Sequence, residues 1–167
     1  MNKYQAALSE TAKKFAALGD PPVFRGWMSA GGHRRLSGMN MFQRYNLDLR
    51  LYQTGAWTTL PVGILPAWQL SVLYAQGFWY STSKVIRFGI ETLGFREDLE
   101  SYIGYSWKFP ASGMFEYQSF PSPAIIFISA YYDFNPESVS IWLRPMSVGY
   151  PPGAKIKLEV PIRTIPG

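Results

Sequence analysis

The chain contains no cysteine and only one histidine, His33. The first absence excludes disulfide scaffolds, thiolate zinc sites and cysteine nucleophiles. The second rules out a histidine-rich metal site and leaves any histidine-dependent triad a single candidate base. His33 stands beside Arg34 and Arg35, whose like charge disfavours its proton, so it reads as a loop residue and not a base. There is no GxGxxG, no GxxxxGK followed by Ser or Thr, no HExxH, no GxSxG and no EF-hand loop. The expectation is therefore a chain that is not an enzyme and takes no metal or cofactor.

Long hydrophobic runs are missing too. The most apolar stretch, residues 60–80, is broken by Pro61, Pro66, Gln69 and Gln76, whereas a spanning helix needs about 20 predominantly apolar residues. No membrane span is expected. Residues 1–20 lack the apolar core of a secretory signal, so no signal peptide is expected either.

Charge is scarce: 16% of the 167 residues are charged, against about 25% in an average domain. Apolar residues make up 47% and aromatics 17%, with six Trp, eleven Tyr and eleven Phe. A chain this size forms one domain of ordinary dimensions, and too few ionised side chains are present to clothe it. Part of its surface is expected to be covered by partners.

The net charge of +5 lies wholly in the first fifty residues, which hold eight basic and three acidic side chains. Arg25, Arg34, Arg35 and Arg44 are interleaved with Phe24, Trp27, Phe42 and Tyr45 and meet no acid between Pro21 and Leu47. Such a segment suits an acidic surface on a neighbouring subunit, or nucleic acid, through guanidinium pairing and ring stacking.

Along the chain, Tyr4, Leu8, Ala12, Phe15 and Leu18 recur at helical spacing before Gly19 and Pro21-Pro22, which predicts a helix over 3–18. Its narrow, alanine-rich stripe marks a docking arm, residues 1–22. The glycines of 28–40 predict a loop, making 23–44 a basic loop. Leu47, Leu49 and Leu51 alternate with Asn46, Asp48 and Arg50, the pattern of a half-buried strand over 45–52, and Gly55 with Thr58-Thr59 predicts a turn and a second strand ending at Pro61. In the β/helical middle, 45–104, Pro66 can open a helix running to Gly77, although aromatic and β-branched content argues for strand. Val85, Ile86, Ile90 and Leu93, then Phe95, Leu99, Tyr102 and Ile103, predict two short helices. Glu97, Asp98 and Glu100 would lie in the first turns of the second, facing its dipole.

Nine of the thirteen prolines fall between Pro110 and Pro166, and the region 105–167 reads as β. Residues 124–132 form a nearly continuous apolar run, Val139, Ile141 and Leu143 alternate after a turn at 133–136, and Ile156, Leu158, Val160 and Ile162 alternate after Pro151-Pro152-Gly153. This predicts a three-strand antiparallel meander, with Pro145 and Pro161 at edges or bulges because proline cannot donate to a ladder. The expected fold is α+β: an N-terminal helical arm (1–22), then a single α+β domain (23–167) with a few short central helices and an antiparallel sheet or sandwich dominating the C-terminal half.

Low charge, many rings, scattered proline and missing catalytic motifs fit a structural subunit of a large symmetric assembly. A virion component is the favoured setting: a phage capsid, neck, tail or baseplate protein, assembled in the host cytoplasm from copies of itself and other structural subunits. Its interface residues would be Tyr4, Leu8, Phe15, Arg25, Trp27, Arg34, Arg35 and Arg44. The alternative is a carbohydrate- or receptor-binding β module that uses exposed aromatics. A glycosidase-like pair of Glu91 and Glu116 is the remaining catalytic candidate.

Overall fold

The structure, a computed structural model, describes residues 2–19, 21–33, 37–60, 67–108, 114–130 and 132–166. Helix α1, Lys3–Ala16, begins with a reciprocal cap. The Asn2 side chain accepts from the Gln5 amide at 2.8 Å, and the Gln5 side chain accepts from the Asn2 amide at 3.2 Å. Its buried line is Ala7, Thr11 and Phe15. Thr11 is tolerated there because its hydroxyl donates to the Leu8 carbonyl at 2.8 Å.

Within the region expected to be a basic loop, residues 23–33 and 38–44 are helical instead. Pro21–His33 forms α2, and Gly38–Leu51 forms α3, capped by the Ser37 hydroxyl on the Asn40 amide. Pro21 and Pro22 open a helix as readily as they end one, because first-turn amides have no partner to lose. Gly38 serves packing, not flexibility: a Cβ there would stand 2.9 Å from Met28 Cγ and 3.0 Å from the Met28 amide nitrogen, so the glycine lets α2 and α3 touch.

The strand expected at 45–52 is the second half of α3. Its buried face is Met41, Phe42, Tyr45, Asn46 and Leu49, a 3.6-residue period that overrides the Leu-x-Leu-x-Leu alternation. Residues 53–60 hold no strand either. They turn off the helix through left-handed Gln53 (φ 57°) and Gly55 (φ 76°) and are held by Asn46. That side chain donates to the carbonyls of Phe42 and Thr58, both at 2.9 Å, and accepts from the Thr58 amide.

The remaining chain builds one mixed sheet of seven strands in the order β4-β3-β6-β7-β1-β2-β5. The strands are β1 Ser71–Tyr80, β2 Val85–Leu93, β3 Ser101–Lys108, β4 Phe115–Phe120, β5 Ala124–Ala130, β6 Ser138–Ser147 and β7 Ile156–Ile165. The helices expected over 66–77, 85–93 and 95–103 are therefore absent. Ile86, Phe88, Ile90 and Thr92 alternate inward along β2, and residues 97–100 form a turn. The expected meander is also corrected: β6 and β7 form its hairpin, but β5 pairs with β2, from Val85↔Ala130 to Glu91↔Ala124.

All neighbours are antiparallel except β1 and β7, which run parallel from Gly77↔Ile162 to Tyr80↔Ile165. β7 changes partner along its length, pairing with β6 through Pro161 and with β1 from Ile162 onward. This corner curls the sheet into a near-barrel that stays open between β4 and β5.

Neither strand proline lies in an edge strand. Pro145 pairs with Ile103 of β3 beyond the last β6–β7 pair, Leu143↔Ile156, and its carbonyl accepts from Gly153 on the β7 side. Its missing N–H faces that side too, where the ladder has ended. Pro161 sits immediately before the first β1–β7 pair. Ladder ends inside a sheet accommodate proline as an edge does.

The interior of the near-barrel is filled by Ile86, Phe88, Ile90, Ile103, Tyr105, Trp107, Ile125, Phe127, Ile141, Leu143 and Val160. Phe127 of β5 stacks on Tyr105 of β3 at 4.6 Å, so rings bridge the open side. The helices enclose a second aromatic cluster of Phe15, Trp27, Met41, Phe42 and Tyr45, and they meet the sheet through Ala7, Leu49, Leu51, Tyr52 and Met146.

Candidate functional site

The sequence-derived interface residues separate into four groups. Phe15 and Trp27 are buried inside their own helical layer, Phe15 on Phe42 and Trp27 with its indole N–H donating to the Thr59 carbonyl. Leu8 is half-buried and Arg25 exposed. Arg34 and Arg35 lie outside the described residues, as does the His33 side chain. Tyr4 of α1 and Arg44 of α3 are brought together in one groove of about 440 Å³, lined also by Asp48, Tyr117, Arg144 and Lys155.

Arg144 organises that groove. Its Nε donates to Asp48 Oδ2 at 2.8 Å and its Nη1 to the Gly153 carbonyl at 2.8 Å, which ties β6 to α3. Burial raises the Tyr117 phenol above its ordinary pKa, an effect Lys3 opposes. Three cations therefore face one acid, and the groove suits an anionic group more than a neutral one. Other cations of the N-terminal segment are spent within the chain: Lys3 pairs with Glu116 at 2.9 Å, and Arg50 pairs with Glu10 at 3.0 Å and lies 4.3 Å from the centre of the Trp57 ring.

The candidate carboxylates are not assembled. Glu91 is exposed on β2 opposite Tyr74 and Ala124, whereas Glu116 on β4 is occupied by Lys3. Asp98 takes a bidentate pair from Arg96, and that hydrogen bonding holds its carboxyl below the usual range. Glu100 accepts from the Tyr102 hydroxyl. These acids sit in a turn and cap no helix. Among the described residues no group of three His, Asp or Glu side chains is placed to hold a metal, and no helix is long and apolar enough to cross a membrane.

A second feature escaped the sequence reading. On the outer face of β1, β2 and β5, Tyr74, Gln76 and Phe78 stand opposite Glu91, Gly89 and Arg87, and these stand in turn opposite Ala124, Ile126 and Ile128. Tyr74 is 47% exposed, Ile126 56% and Ile128 67%. Two shallow grooves of about 270 and 320 Å³ cross this face, one along Phe78, Arg87 and Ile126, the other along Tyr74, Pro161 and Arg163. The signal was the nearly continuous apolar run of 124–130, interrupted only by Ser129. A strand apolar on both faces is normally covered on both, yet here Ile125 and Phe127 are buried while Ile126 and Ile128 face outward. No tryptophan is fully exposed; Trp57, Trp79 and Trp142 are half-buried, and Trp27, Trp68 and Trp107 are buried.

No family model matches the chain, and no curated protein matches it significantly.

Proposed function

We propose that this chain is a structural subunit of a large symmetric assembly and acts by subunit packing. The carrying observation is the exposure of Ile126, Ile128 and Tyr74 on the outer face of β1, β2 and β5, where they stand in water beside Arg87 and Glu91. Full burial of an isoleucine is worth about 1.5–3 kcal/mol, and clustered exposed side chains of this kind mark interaction surfaces. The polar complement is the groove of Arg44, Arg144 and Lys155, which suits an acidic patch on a neighbouring subunit. A virion component is the setting favoured by the low charge and 17% aromatic content.

Negative-stain imaging of the concentrated chain tests the reading. Closed rings, tubes or shells of uniform size are expected, and a field of dispersed single subunits would overturn it. The alternative, a glycan-binding module, draws on the exposed Tyr74 and on Phe134, which is 83% exposed. That module predicts saccharide binding by an isolated monomer.

A further inference from the structure

We propose that β5 is a self-pairing edge: residues 124–130 of one copy join the same residues of a second copy in an antiparallel ladder whose two-fold axis passes through Phe127. The inference rests on the subunit reading above and names one of its joints.

The sheet has two terminal strands, β4 and β5, and they are treated differently. β4 has six residues and carries Glu116, which is paired to Lys3 of α1, while the Tyr117 carbonyl accepts from Gln53 Nε2 at 2.7 Å. A charge and a covering element are among the usual protections against edge pairing. β5 has neither. Its seven residues include no charge and no proline, and its register with β2 runs without a bulge. Its other edge carries no strand among the described residues. The sequence AIIFISA has the strong β-propensity and zero charge that favour strand addition.

The second copy is the occupant because the segment complements itself. Antiparallel pairing with full overlap sets Ile126 opposite Ile128 of the second copy, and Ile128 opposite its Ile126. Each exposed isoleucine then packs beside its counterpart on a continuous outer face, and neither buried Ile125 nor Phe127 has to move.

Size sets the strength. A strand of seven residues is about 24 Å long, and one such strip falls short of the roughly 800 Å² per partner of a standard stable interface. The isolated pair is a weak, concentration-dependent dimer, reinforced by further contacts in the assembly.

The absence of native cysteine makes the register directly testable. Ile126→Cys and Ile128→Cys each supply a lone, outward-facing thiol. Opposite positions bring Cβ atoms to about 4.5–5.5 Å, whereas diagonal ones stay about 7–8 Å apart. An equimolar mixture of the two variants, oxidised with each verified as folded by circular dichroism, is expected to form covalent dimer at least about tenfold faster than either alone, the factor that about 1.4 kcal/mol represents. Equal rates in all three samples, or no dimer in any, would overturn the proposal. If the wild-type chain still assembles while the mixture shows no preference, the joint is wrong and the subunit reading stands. If wild type stays monomeric at every concentration, both fall.

Discussion

Tyr52, the residue that follows α3, lays its ring on Gly104 of β3, so closely that a Cβ on Gly104 would stand 2.6 Å from Tyr52 Cγ and 2.8 Å from Met146 Cε. This contact docks the helical layer on the sheet. Both Tyr52 and Met146 are buried, so neither has room to yield.

Gly104→Ala should therefore destabilise the fold by about 1–3 kcal/mol, the usual cost of overpacking. Gly89→Ala is the control, since its Cβ would meet nothing closer than 3.9 Å. Urea unfolding of the two variants beside wild type checks the contrast; equal midpoints would refute this account of the docking contact.

Asn46 is the polar pin between α3 and residues 53–60. Removing its side chain leaves the Thr58 amide and carbonyl unpaired in a buried site. Asn46→Ala should cost about 2–4 kcal/mol, since each orphaned buried group costs about 1–3 kcal/mol. Ser37→Ala, which removes only the exposed α3 cap, should cost about 1 kcal/mol. Chemical denaturation of both variants measures the difference.

Alkaline stability should fall over a defined window. Burial pushes the Tyr105 phenol up to about 12 and, as the largest cause there too, the Tyr52 phenol up to about 12. Tyrosines of the unfolded chain ionise near pH 10. Between about pH 10 and 12 the unfolded chain releases protons that the folded chain retains, so stability drops as pH rises, by about 1.4 kcal/mol per unit for each such group. Below about pH 10 these groups contribute no pH dependence. Tyr105→Phe should make the decline shallower in urea titrations run across this range.

The β-rich half was legible because its strands alternate cleanly: Val139, Ile141 and Leu143 point inward in β6, as Val160 and Ile162 do in β7. Their partners were not legible. Period two identifies a strand and is silent about which strand it joins, so the pairing of β5 with β2 could not be read from 124–130 alone. β2 was misassigned because Ile86, Ile90 and Leu93 satisfy the helical period while Ile86, Phe88 and Ile90 satisfy the sheet period, and burial selects the second. In α3 the reverse happened, because Asn46, polar and apparently outward, is wholly buried. Gly38 looked like a loop residue because its role, the approach of Met28, exists only once two helices pack. Of the basic groove, Tyr4 and Arg44 were identified, whereas Arg144 and Lys155 lie about a hundred residues further along, beyond the reach of local pattern.

Substitution on the outer face should separate association from folding. Ile126→Lys and Ile128→Lys place charges in solvent and should change monomer stability by no more than about 0.5 kcal/mol. Ile125→Ala, on the buried face of the same strand, should cost about 2–5 kcal/mol. Thermal unfolding of dilute samples distinguishes the two faces.

Native mass measurement at rising concentration, on wild type beside the Ile126→Lys/Ile128→Lys chain, tests the subunit reading most directly. The account predicts discrete oligomers for wild type and their loss, with the fold intact, in the charged variant. A wild-type chain that remains one subunit at every concentration would contradict it.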